Sequence, residues 1–290
     1  MKILVLGGTR FFGKQLVKAL IEKGYDITIG TRGQTLDDFG DKVKRLILDR
    51  TDRKSLELNL AGKSFDIIYD NICYAPNEAK ILLEVMKGRV GKYIVTSSLA
   101  VYEQGSMLKE EAFNPYDYPI QYGEREDFSY GEGKRLVETI IYQTFNIPTV
   151  AVRFPVVIGE NDYTKRLTFY VEKVLQQTPF IAKDYEYPMS FITEQEAGNF
   201  LALLAEKNIV GPINAATNGI INVKGIIEMI EELVGKKAIL VDEGKEIGPY
   251  STYGNTTLDT NKALALGMKF EKIEEVFERV IKNDIAMLNQ

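Results

Sequence analysis

The stretch Lys2-Ile3-Leu4-Val5-Leu6-Gly7-Gly8-Thr9-Arg10-Phe11-Phe12-Gly13-Lys14-Gln15-Leu16-Val17 decides the fold. Residues 3–6 are an unbroken apolar run, the pattern of a strand buried on both faces of a parallel sheet. From 14 to 23 apolar residues fall at Leu16, Val17, Leu20 and Ile21, one helical stripe, and Gly24 closes the helix. A strand, a glycine-rich turn and a helix in that order aim backbone N–H groups and the positive end of a helix at one point. That arrangement suits a pyrophosphate. The same glycines would also serve a turn with no ligand, but the strand before and the helix after favour the phosphate reading.

Working outward, the alternation continues to about residue 155. Strand patterns fall at 26–30, 43–48, 65–71, 92–97 and 149–154, with helical patterns notably at 78–87 and 131–144. Repeated β-α-β units predict a doubly wound α/β fold of Rossmann type, a parallel sheet with helices on both faces and ligands at the strand carboxyl ends. After Phe154 the alternation loosens. Loops rich in Tyr, Pro, Asp and Gly appear at 159–164, 183–188 and 243–253, and helices are expected at 167–177, 194–206, 223–234 and 273–288. The reading is a dinucleotide-binding domain over 1–158 and a smaller substrate lobe over 159–290, with a segment near 188–216 returning to the first domain.

Composition removes whole classes of chemistry. The 290 residues are 45% hydrophobic and 27% charged, as in an ordinary globular protein. The net charge is −5, so nothing overall favours nucleic acid or an anionic membrane. There is no His, which excludes a Ser-His-Asp triad, a Cys-His pair and an imidazole metal site. The single Cys, Cys73, excludes an internal disulfide and a Cys-cluster zinc site, so no metal is expected. No apolar run approaches a membrane span, and the first residues lack the marks of a signal peptide. The expectation is a cytoplasmic protein.

Without His, the general acid and base must come from Tyr, Lys, Asp or Glu. Val95-Thr96-Ser97-Ser98-Leu99-Ala100-Val101-Tyr102 ends one strand, and Tyr130-Gly131-Glu132-Gly133-Lys134 opens the helix after it. Tyr130 and Lys134, four residues apart, share a helical face. A cation beside a phenol favours its ionised form, and a Ser hydroxyl at the strand end can bond a substrate oxygen. The spacing alone is weak; its position after that strand is what gives it weight. A core Tyr and a surface Lys are the alternative.

These segments together resemble the extended, atypical short-chain dehydrogenase/reductase superfamily, the NAD-dependent epimerase/dehydratase family. Gly7 and Gly13 match its Gly-x-x-Gly-x-x-Gly fingerprint, and Arg10 stands in the middle glycine slot. The resemblance implies catalytic Ser98, Tyr130 and Lys134, with Ser97 the second choice for the hydroxyl. It implies cofactor contacts at Gly7, Thr9, Arg10, Phe11, Phe12, Gly13, Thr31, Arg32, Asp49, Arg50, Ser97, Tyr130 and Lys134, and substrate contacts at Tyr102 and Arg166. Asp49 resembles the acid that contacts adenine, or caps a turn. Arg166 is equally an ordinary helix cation. Dehydratases of the superfamily carry Asp-Glu after the catalytic hydroxyl; Leu99 and Ala100 stand there.

The strand at 26–30 ends without the acid that grips the ribose diol of NAD. Thr31 and Arg32 offer a hydroxyl and a fixed cation for a 2′-phosphate, so NADP is favoured over NAD. The expected activity is NAD(P)-dependent epimerisation or reduction of a nucleotide sugar or a similar polar small molecule. The alternative is a non-catalytic dinucleotide-binding regulator or an RNA-associated protein, which an Arg-bearing loop also resembles. Relatives are often dimers through a helix pair, which leaves a homodimer open.

Overall fold

A computed structural model describes residues 1–251 and 253–289; Thr252, inside the loop expected at 243–253, lies outside them, as does Gln290 at the end of the expected lobe. The chain opens β1 (Lys2–Leu6), α1 (Phe11–Glu22), β2 (Asp26–Thr31), β3 (Lys44–Ile47), α2 (Arg53–Leu60), β4 (Phe65–Asp70), α3 (Pro76–Val85) and β5 (Val90–Ser98). It continues through β6 (Gly105–Leu108), α4 (Tyr130–Thr144), β7 (Thr149–Phe154), β8 (Val156–Ile158), α5 (Arg166–Gln176), β9 (Phe191–Thr193), α6 (Glu194–Leu204) and β10 (Gly211–Asn214). Then come α7 (Val223–Val234), β11 (Thr256–Leu258), α8 (Asn261–Ala265) and α9 (Ile273–Leu288).

Seven strands form one parallel sheet in the order β3-β2-β1-β4-β5-β7-β10. The order reverses between β1 and β4, and such a switch point opens a crevice at the strand carboxyl ends. The apolar run of β1 has a direct cause. Ile3 and Val5 pack on one face of the sheet with Leu16, Leu20, Phe200 and Leu201 of α1 and α6. Leu4 and Leu6 pack on the other with Leu56, Leu82, Leu83 and Val137 of α2, α3 and α4. Both faces are covered, so the strand has no polar side to show. The doubly wound fold read from the sequence is the fold observed.

A second core lies among α5, α7 and α9, where Tyr170, Val171, Ile226, Ile230, Phe277 and Ile281 are buried together with Phe191 of β9. Two short parallel pairs, β8 with β9 and β6 with β11, join this lobe to the sheet. The periodicity gave no signal for α2, whose Leu56 and Leu60 are its buried residues; Asp52 starts it by accepting from Lys54 N. No described helix is long and apolar enough to cross a membrane.

Candidate active site

A cleft of about 580 Å³ runs along the switch point, lined by Gly7, Thr9 to Gly13, Gly30 to Arg32, Leu48 to Thr51, Asn71, Ile72, Tyr74, Arg125 and Tyr163. The loop between β1 and α1 closes tightly on itself. A Cβ on Gly13 would fall on Gly7 O, well inside contact distance, so glycine is required there. Arg10 is extended (φ −135°, ψ 154°), a conformation open to any residue, so an Arg in the middle glycine slot costs no backbone strain. The strain sits one residue later, at Phe11 with φ 51°. Its ring is held between Phe12 at 6.1 Å and Tyr163 at 6.0 Å, centroid to centroid.

At one end of the cleft Thr31 Oγ1 accepts from Gly33 N at 3.0 Å, which leaves its own proton to donate. Arg10 and Arg32 are exposed on the cleft and have no hydrogen-bond or ion-pair partner among the described residues. Asp49 accepts from the Thr51 N–H and hydroxyl at 2.9 and 2.7 Å, so it caps its own turn. Those bonds, with Arg32 and Arg125 nearby, hold its carboxyl below the usual range.

Arg50 is placed differently from the expectation. It borders the cleft, but the residue is 4% exposed and its guanidinium is bound to Asp70 and to Glu78. These are buried carboxylates that charge balance commits it to. Arg125, for which the sequence offered no motif, binds the other oxygen of Glu78, donates to Ile72 O at 3.1 Å and lies over the Tyr74 ring at 4.4 Å.

The residues expected to handle the proton lie at the end of β5 and the start of α4. Lys134 is 1% exposed and donates to Cys73 O at 2.6 Å and Thr96 O at 2.8 Å. Its Nζ lies 5.8 Å from the Tyr130 ring centroid, and Tyr130 is exposed. The glycines of Tyr130-Gly131-Glu132-Gly133-Lys134 explain that reach. A Cβ on Gly133 would stand 2.5 Å from Tyr74 O, so only glycine lets α4 approach the segment after β4.

Neighbouring serines divide the work as strand alternation requires. Ser97 Oγ donates to buried Glu138. Ser98 Oγ accepts from Ala100 N at 3.2 Å, in the turn after the strand, and keeps its own proton free. Ser97 is thus tied to the interior and Ser98 is the available hydroxyl.

Both expected substrate contacts are engaged elsewhere. Tyr102 is buried; its hydroxyl donates to Asn214 at 2.7 Å and accepts from Arg153 at 2.8 Å, and burial pushes the phenol up to about 12. Arg153 is wholly buried and uses all its donors, on Glu138, Tyr102, Glu110 O and Phe113 O. Arg166 donates to Thr164 and Tyr253 of its own lobe and to Val157 O of β8. Among the described residues no group of three or more Cys, Asp or Glu is placed to hold a metal ion.

Comparison with known proteins accords with this geometry. Residues 3–75 match the model of the NAD dependent epimerase/dehydratase family. A curated relative, the chloroplast stem-loop binding protein of 41 kDa b of Arabidopsis thaliana, is 32% identical over 130 residues; the match covers 39% of this chain and 34% of that protein. UDP-glucuronic acid 4-epimerase from Bacillus cereus, solved with UDP-glucuronic acid and NAD, superposes over 99% of this chain and 100% of its own, with a TM-score of 0.78 at 21% identity. UDP-glucose 4-epimerase from Thermotoga maritima, solved with UDP-glucose, gives a TM-score of 0.76 at 18% identity, covering 99% and 100%. dTDP-glucose 4,6-dehydratase from Bacillus anthracis, solved with NAD, gives 0.76 at 17%, covering 98% and 96%. The likeness to the NAD-dependent epimerase/dehydratase family read from the sequence is therefore borne out, by the family model over residues 3–75 and by the fold over nearly the whole chain.

Proposed function

We propose that the chain is a nicotinamide-dinucleotide-dependent epimerase or reductase of a nucleotide sugar or a similar polar hydroxyl or carbonyl compound. The observation that carries the reading is the Tyr130–Lys134 pair at the end of β5, beside a phosphate loop with no room for a Cβ at Gly13. When bound, the nicotinamide supplies hydride transfer at a carbinol carbon. The chain's own residues handle the proton. The Tyr130 hydroxyl takes or returns it, with the Lys134 cation beside it, and Ser98 donates to the substrate oxygen. Leu99 and Ala100 follow Ser98 in the turn and transfer no proton, which favours epimerisation or reduction over dehydration. NAD in the similar structures supports a nicotinamide dinucleotide; the unpaired Arg32 at the end of β2 favours the form with a 2′-phosphate.

The test is calorimetric titration with NADPH and NADH, followed by incubation with UDP- and dTDP-sugars and identification of the product by NMR. Micromolar binding that Gly13→Val abolishes in a folded protein is expected. Unchanged affinity in that variant would remove the dinucleotide from this loop.

The stem-loop binding relative supports a second reading, an RNA-associated protein on the same fold. It requires RNA retention that falls steeply with salt. Sugar-nucleotide turnover favours the first reading.

A further inference from the structure

One side chain borders both the cleft and the Tyr130–Lys134 pair. Tyr74 lines the cleft together with Arg125, whereas Ser98, Tyr130 and Lys134 do not line it. The Tyr74 ring centroid lies 4.6 Å from Lys134 Nζ, 4.4 Å from the Arg125 guanidinium and 6.3 Å from the Tyr130 ring. An ammonium has three donors. Lys134 gives two to Cys73 O and Thr96 O, and the Tyr74 ring lies close enough to take the remaining side. With Nζ so enclosed, a ligand in the cleft meets the ring before it meets the cation.

The backbone of this segment is pinned by hydrogen bonds, whereas the Tyr74 side chain makes none among the described residues. Tyr74 N donates to Glu78 Oε2 at 2.7 Å, Tyr74 O abuts Gly133, and Arg125 holds Ile72 O. The Tyr74 hydroxyl forms no hydrogen bond among the described residues, and the ring lies against the Arg125 and Lys134 cations. Burial pushes its phenol up to about 12, so it stays neutral near pH 7.

We propose that Tyr74, latched by Arg125, is a gate and positioning residue that bars the nicotinamide end of a dinucleotide from the buried Lys134 until its ring turns out of the way. The inference rests on the dinucleotide reading of the cleft. Displacing the ring breaks its contacts with two cations, a cost borne by the nicotinamide half of the ligand and not by the adenine half.

The test compares NADPH with adenosine 2′,5′-bisphosphate, and NADH with AMP, each pair differing by the nicotinamide half. In Tyr74→Ala, and in Tyr74→Leu as a bulkier variant, the intact dinucleotide should bind about tenfold more tightly relative to its adenine half, or about 1.4 kcal/mol. Tyr74→Phe keeps the ring and should keep the wild-type ratio. A ratio that is unmoved, or that falls, in both Ala and Leu variants would overturn the gate while leaving the dinucleotide site standing. Wild-type protein that binds none of the four ligands would remove the dinucleotide reading and the gate with it.

Discussion

Replacing Tyr130 with Phe removes one exposed hydroxyl and leaves the ring beside Lys134 in place. A positioned acid-base group contributes roughly 10²–10⁴ in rate, so turnover should fall by that factor with dinucleotide affinity nearly unchanged. Wild-type turnover in Tyr130→Phe, measured on an identified substrate, would dismiss the assignment. The proposed preference for a 2′-phosphate rests on Arg32, which faces the cleft without a partner among the described residues. A charge-assisted bond is worth about 1.5–3 kcal/mol, which predicts a roughly 10- to 100-fold preference for NADPH over NADH. Exposure pulls the value toward the lower end. Arg32→Ala should erase most of the difference and leave NADH binding alone; equal affinities in the wild type would show an idle Arg32. The loop glycines and the Tyr130–Lys134 pair were legible in sequence because their geometry is local, set by turns and by one helical spacing. Arg50, Tyr74 and Arg125 were not. Their roles come from Asp70, Glu78 and Lys134, each 20 or more residues away from at least one of them, and no spacing rule joins such partners.

Elements carry the site only if α4 stays seated, and Arg153 is the strut beneath it. From β7 its guanidinium reaches Glu138 of α4, Tyr102 after β5 and the carbonyls of Glu110 and Phe113. Desolvation alone would drive the charge off; the Glu138 carboxylate outweighs it and keeps the guanidinium charged. Both partners are fully buried, so losing one leaves a charge with no water and no counter-ion. Breaking such a pair costs about 3–5 kcal/mol. Glu138→Ala should therefore lower stability by that amount in denaturant titrations and also free the Ser97 hydroxyl. A loss below about 1 kcal/mol, the value of an exposed pair, would contradict the strut. The helix itself was readable from its periodicity. That its polar residues Lys134 and Glu138 face inward was not, since an apolar stripe shows which side is buried and not which charges are paired there.

Across the whole molecule, the order of the chain and the order of the sheet disagree, and that decides how the protein comes apart. The chain leaves the sheet after β7, builds β8, α5 and β9, then returns as α6 and β10. α6 lays Phe200, Leu201 and Leu204, all fully buried, on the sheet face that α1 shares. Each such side chain contributes about 1.5–3 kcal/mol, so three contribute roughly 5–9 kcal/mol. A domain's whole stability is about 5–15 kcal/mol. A fragment of residues 1–158 would lose that packing, and β7, with buried Val150, Val152 and Phe154, would become an uncovered edge once β10 is gone. The expected pair of results is one cooperative thermal transition in the full chain, and no cooperative transition, with self-association, in fragment 1–158. Scanning calorimetry and size-exclusion chromatography on both proteins decide it. A monomeric fragment 1–158 with its own sharp transition would show that this segment is a separate folding unit and that α6 is an accessory to it.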